Sequence, residues 1–125
     1  MKTIIAILYA HLVKRQNKKW IDNPIKWQAN TFKKLIKNGI KTEFGKNHDL
    51  ENIKSYEQYK EKVPVRDYEE LRPYIEKVLN GEKDILWPGK PLYFAKTSGT
   101  TSGAKYIPIT KQSIKTHIRS ARDAC

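Results

Sequence analysis

The nine residues from Thr97 to Lys105, TSGTTSGAK, gather two glycines, five hydroxyl side chains and a lysine into one short stretch. Each type suits a polyphosphate. Gly99 and Gly103 can adopt positive φ and let backbone N–H groups come close to phosphate oxygens. Hydroxyls of Thr97, Ser98, Thr100, Thr101 and Ser102 can donate further hydrogen bonds, and Lys105 brings a mobile point charge. The same composition also suits a surface loop without a ligand. The spacing is not that of a Walker A loop, which has four residues between its glycines and a Lys-Ser/Thr pair directly after the second. Here three residues separate Gly99 from Gly103, and Ala104-Lys105-Tyr106 follows. A Walker loop also opens a helix, whereas β-prone residues flank this one on both sides, so a helix dipole is not its main source of attraction for phosphate.

No other residue set competes with this loop. His11, His48 and His117 lie far apart without companion ligand spacing and read as surface or helix filler, so no metal site is predicted. The single cysteine, Cys125, excludes an internal disulfide framework and any multi-cysteine metal site, which fits a reducing compartment and a cytoplasmic location. Trp20 and Trp27 bracket two helices and are expected to pack them together, and Trp87 to anchor the turn into the loop.

The elements that must position the loop can be read from periodicity and caps. Apolar Ile4, Ile5, Leu8, Leu12 and Val13 predict a first helix running to about residue 20, too short in apolar length to span a bilayer and expected to be buried. A second helix begins at Asp22 or Asn23 with Pro24 in its first turn, carries Ile25, Ala29, Phe32, Leu35 and Ile36 on one face, and ends at Gly39. The polar stretch 42–52 reads as a loop. Ser55 with Gln58 caps a short helix stopped by Val63-Pro64, and Asp67 with Glu70 caps another. A break is expected at Pro73, followed by helix from Tyr74 to Asn80 that closes at Gly81. Leu92–Ala95 and Tyr106–Thr110 read as strands on either side of the loop. Thr110 caps a last helix with Ile114, Ile118, Ala121 and Cys125 on one face.

Lysine and arginine number 25 against 13 acidic residues, a net charge of +12 with a pI near 9.8. That balance favours anionic partners. Lysines recur from Lys14 to Lys115 and mix with acidic residues between Glu43 and Glu76, without a compact Arg-rich stripe, so a solvated surface accounts for them better than a nucleic-acid footprint. Two non-catalytic alternatives stay open: a small basic nucleic-acid-binding module, and a helical interaction module built from the first two helices.

The loop resembles the phosphate loop of the adenylate-forming acyl-activating superfamily. Its surroundings narrow the likeness: Asn23-Pro24, Thr42-Glu43-Phe44-Gly45-Lys46, Pro64 to Leu71, Pro73-Tyr74-Ile75, Leu86-Trp87-Pro88-Gly89 and Phe94 to Thr110 resemble the auxin-responsive promoter family of acyl-acid amido synthetases. The wider superfamily commonly closes the loop with Pro-Lys-Gly, where this chain has Ala104-Lys105-Tyr106.

The resemblance implies an ATP-dependent ligase that activates a carboxylic acid as an acyl-adenylate and then joins it to an amine, typically of an amino acid. It places Thr97, Ser98, Gly99, Thr100, Thr101, Ser102 and Gly103 on the phosphates, Lys105 as the catalytic basic residue, and Ile114, Ile118 and Arg122 along an acyl-acid pocket. ATP and Mg²⁺ are the implied cofactors, with the metal ligands expected outside this chain. A small carboxylic acid and an amine are the implied partners, with no specific nucleic acid and no membrane. The implied architecture is α/β: residues 1–81 form a mainly helical layer, 86–110 a strand–loop–strand unit carrying the phosphate loop, and 111–125 a helix cut short. The chain is thus expected to be the N-terminal part of an adenylate-forming large domain, incomplete and inactive alone, with further strands and a mobile second domain beyond Cys125.

Overall fold

The computed structural model describes residues 2–98 and 103–123. Those residues are mostly helical with a small two-stranded sheet: α1 (Lys2–Ile21), α2 (Pro24–Gly39), α3 (Glu43–Asn47), a 3₁₀ turn (Leu50–Asn52), α4 (Tyr56–Lys62), α5 (Tyr68–Leu79), β1 (Tyr93–Thr97), β2 (Lys105–Ile109) and α6 (Lys111–Asp123). A buried cluster of Ile36, Leu50 and Ile53, with Phe32, Ile40, Tyr59 and Val63 packed against it, joins α2, the 3₁₀ turn and α4. Phe32 meets Tyr59 edge-on at 5.8 Å between ring centroids, a geometry that aligns one ring's positive edge with the other's negative face.

Local signals set most helix ends. The Ser55 hydroxyl accepts from the Gln58 N–H at 3.2 Å, while the Gln58 side chain reaches back to the Lys54 N–H at 2.8 Å. At α5 the box is complete: Asp67 Oδ1 accepts from the Glu70 N–H and Glu70 Oε2 from the Asp67 N–H, both at 2.9 Å. The same helix ends in a Schellman turn, with Gly81 at φ 84° donating to the Val78 carbonyl and Glu82 to that of Lys77. Thr110 and Ser113 cap α6 reciprocally, Thr110 Oγ1 accepting from the Ser113 N–H and Ser113 Oγ from the Thr110 N–H.

Several expectations are corrected. Residues 42–52 are not a loop: Thr42 caps α3, and the Glu43 and Phe44 N–H groups donate to the carbonyls of Asp84 and Ile85, 41 residues further on in each case. Long-range bonds therefore hold a helix too short to form alone. Second, α5 runs unbroken through Pro73. Pro73 and Glu69 are both exposed, so the Glu69 carbonyl left without its donor can be hydrated, and the cap upstream and buried Ile75 and Val78 downstream keep the helix together.

Third, α1 is not buried. Ile4, Ile5, Leu8 and Leu12 are each 59–66% exposed. With Ile7 they share one broad face of the helix, and the packing against α2 leaves that face largely uncovered. Trp20 and Trp27 are likewise about half exposed, and Trp20 Nε1 donates locally to Asn17. Fourth, Asn23 precedes Pro24 as expected, but its side chain makes no capping bond. His48 departs from the filler expectation too: it is buried and stacked on Phe44 at 4.1 Å between ring centroids. Among the described residues, no helix is long and apolar enough to cross a membrane.

Candidate active site

The hairpin β1–β2 holds the loop by both ends. Its antiparallel register pairs Tyr93 with Ile109, Ala95 with Ile107 and, at the open end, Thr97 with Lys105. The strands thus extend further towards the loop than the sequence suggests, and Thr97 and Lys105 belong to the sheet. As directly opposed residues they lie on one face of the hairpin. Ser98 follows Thr97 and is exposed; Gly103 sits at φ 81° with open space around it, the left-handed conformation expected of a loop glycine. Gly99, Thr100, Thr101 and Ser102 lie outside the described residues, as does Cys125.

Lys105 is half-buried, and its Nζ lies over the ring of Tyr68, 5.5 Å from the centroid. Among the described residues it forms no ion pair. The neighbouring carboxylate, Glu69, is taken by Arg72, whose Nε and Nη2 donate to its two oxygens at 2.7 and 2.8 Å. The Tyr68 hydroxyl accepts from the Tyr106 N–H at 2.8 Å and so ties α5 to β2 beside the lysine. Tyr68 could not be singled out from spacing, because its contact to β2 crosses more than thirty residues of chain.

Trp87 anchors the approach to the hairpin as foreseen, its Nε1 donating to Gln112 Oε1 of α6 at 2.8 Å. Of the residues expected along an acyl-acid pocket, Ile114 is half-buried, Ile118 is 65% exposed, and Arg122 Nη2 donates to Gln16 of α1 at 3.3 Å. A polar cleft of about 390 Å³ lies elsewhere, between α3 and α5, lined by Glu43, Asn47, Arg66, Glu70, Tyr74 and Lys77. Within it Lys77 pairs with Glu43 at 2.6 Å and Asn47 donates to the Tyr74 hydroxyl. No three His, Cys, Asp or Glu side chains gather into a metal site among the described residues.

A family profile described as the GH3 family N-terminal domain matches residues 13–124, nearly the whole chain and all of the hairpin. The chain belongs to the GH3 family. Indole-3-acetic acid-amido synthetase GH3.2 of Arabidopsis thaliana is 30% identical over 86 residues, 68% of this chain and 16% of that protein. Jasmonoyl–L-amino acid synthetase GH3.5 of Oryza sativa subsp. japonica is 28% identical over 97 residues, 76% of this chain and 17% of that protein. A probable indole-3-acetic acid-amido synthetase, GH3.13, also of Oryza sativa subsp. japonica, reaches 41% over 58 residues, 45% of this chain and 12% of that protein. The matched stretch is under a fifth of each relative's length. This is the family that the loop and its flanks resemble.

The GH3 chain's ion pairs make its stability depend on pH in a definite direction. Hydrogen bonding to Arg72 holds the Glu69 carboxyl below the usual range, and bonding to Lys62 and Asn52 does the same for Asp49. Depressed carboxyl pKa values contribute stability that is present above the unfolded pKa and lost as pH falls through the folded value. Lys77 is raised by its bond to Glu43, so that contribution is present below the ordinary lysine pKa and lost only as pH rises through the higher folded value. Melting temperature should therefore fall on acidification below roughly pH 4–5. A Lys62→Met/Arg72→Met variant should show a shallower acid limb in melts across pH, and an unchanged limb would count against these pairs.

Proposed function

We propose that this chain supplies the phosphate grip of an ATP-dependent ligase that activates a carboxylic acid and joins it to an amine, in keeping with relatives named as amido synthetases. The observation that carries this is Lys105, held at the loop's foot opposite Thr97 and over the Tyr68 ring, with no ion pair among the described residues. In the first step a carboxylate oxygen attacks the α-phosphorus of ATP, and the bond to the bridging oxygen breaks with its electron pair going to pyrophosphate. In the second, the amine attacks the acyl carbon, AMP leaves with the C–O electron pair, and a proton passes from nitrogen to solvent.

Negative charge grows on the departing phosphates, so a fixed cation and hydroxyl donors facing them lower the barrier more than they stabilise bound ATP. Lys105, Thr97 and Ser98, with Gly99, Thr100, Thr101, Ser102 and Gly103, are assigned that task. When bound, Mg²⁺ would offset the same charge, through ligands outside the described residues. Which acid and which amine react would be set mostly by residues further along a complete protein, and a pocket role for Ile114, Ile118 and Arg122 belongs to the same proposal.

The test is competition on the 125-residue chain. ATP and pyrophosphate should displace one another, while adenosine, which lacks phosphates, should displace neither. ATP that pyrophosphate cannot displace would put the nucleotide elsewhere and reject the loop. The chain alone should form no acyl hydroxamate when hydroxylamine is added to trap acyl-adenylate, because orienting acid and ATP takes groups beyond one loop. Tight duplex DNA binding that weakens steeply with salt, without ATP binding, would favour the nucleic-acid alternative.

A further inference from the structure

A lysine that must meet phosphate faces two opposed requirements. Its flexible stem loses rotamer freedom on binding, which weakens affinity unless the chain is already held. A carboxylate could hold it, but would neutralise the charge that phosphate needs. An aromatic ring restrains an ammonium group through its quadrupole and leaves the positive charge in place.

We propose that Tyr68 is the positioning residue for Lys105, holding the lysine by a ring contact and the adjoining main chain by its hydroxyl. The inference rests on the assignment of Thr97 to Lys105 as a phosphate grip. Lys105 Nζ lies 5.5 Å from the Tyr68 ring centroid, and the hydroxyl of the same tyrosine accepts from the N–H of Tyr106, the next residue along. One side chain therefore fixes both the stem's root and its tip.

Tyr68 is itself well fixed. It is the first residue of α5, directly after the cap at Asp67, whose reciprocal box with Glu70 sets the direction of the opening turn. Arg72 Cζ lies 5.8 Å from the ring centroid. By pairing with both oxygens of Glu69, Arg72 also keeps that carboxylate from capturing Lys105. The arrangement withholds the competing anion and supplies an uncharged restraint.

The ring contact and the phosphate role can be read separately. In NMR spectra of the free chain, the Lys105 methylene protons next to Nζ should be shifted upfield by the Tyr68 ring. That shift should persist in Tyr68→Phe and vanish in Tyr68→Leu, whereas protection of the Tyr106 amide from hydrogen exchange should fall in both. ATP affinity should drop roughly threefold in Tyr68→Phe and about tenfold in Tyr68→Leu, as expected for losing one hydrogen bond and then the ring contact as well.

A Lys105 shift that survives Tyr68→Leu overturns the positioning role. So does wild-type ATP affinity in both Tyr68 variants when Lys105→Ala has lost it. If wild type and Lys105→Ala bind ATP equally, or neither binds it, the phosphate assignment itself fails; the Tyr68 contact is then packing and the proposed role falls with it.

Discussion

Gly45→Ala should destabilise the chain by about 3 kcal/mol, the upper part of the usual range for forcing a methyl group into occupied space. The Cβ would fall well inside van der Waals contact of the Gly39 carbonyl oxygen, with the carbonyl carbon at 2.7 Å and Leu50 Cδ1 at 3.2 Å. Both Gly39 atoms are main chain and cannot rotate away, so α2 and α3 would have to separate. That separation would also break the bonds made by Thr42. Its hydroxyl, almost wholly buried, donates to the Gly39 carbonyl at 2.7 Å and accepts from the Gly45 N–H at 2.9 Å. Gly39→Ala is the informative control. Its Cβ meets only the tip of a leucine side chain, at 2.8 Å, and alanine is favoured over glycine in a helix by roughly 1 kcal/mol. Thermal melts should show Gly45→Ala far below wild type and Gly39→Ala much closer to it; equal midpoints would mean that α2 and α3 separate freely.

Gly45 also marks the boundary of what the sequence discloses. Thr42-Glu43-Phe44-Gly45-Lys46 stood out by resemblance, yet nothing in its spacing says why a glycine belongs there. The reason is a main-chain approach to Gly39 and bonds to Asp84 and Ile85, all set by tertiary structure. Signals written in neighbouring residues were legible: Ser55 with Gln58, Asp67 with Glu70, Thr110, and the left-handed Gly81. Pro73 misled because its local cost is outweighed by the cap before it and the buried Ile75 and Val78 after it. The apolar run of α1 misled in the opposite sense, since periodicity identifies a helix that wants burial but not whether a neighbour covers it. At the candidate site Thr97 and Lys105 could be found from residue type alone. Tyr68, 37 residues before Lys105, becomes visible only once α5 meets β2.

Lys105→Ala should weaken ATP binding roughly 100-fold, the upper end for losing a hydrogen bond to a charged partner. Folding should be affected much less. The side chain is half-buried and has no ion pair among the described residues; its contact with the Tyr68 ring is worth about 1 kcal/mol at such a site. A stability defect and a binding defect are thus separable at this residue, unlike at Gly45, where the main chain itself is displaced. Lys105→Arg is the sharper comparison. It keeps the charge and can still lie over Tyr68, but its longer, planar fork meets phosphate oxygens in a different geometry from the compact ammonium this site holds, so affinity should fall between wild type and alanine. Ser98→Ala removes one exposed hydroxyl and should cost only about three- to tenfold. Calorimetric ATP titration with a melt of each variant tests the series. Wild-type affinity in Lys105→Ala would remove the loop lysine from the phosphates, and a melting temperature that falls in step with affinity would make Lys105 a structural residue.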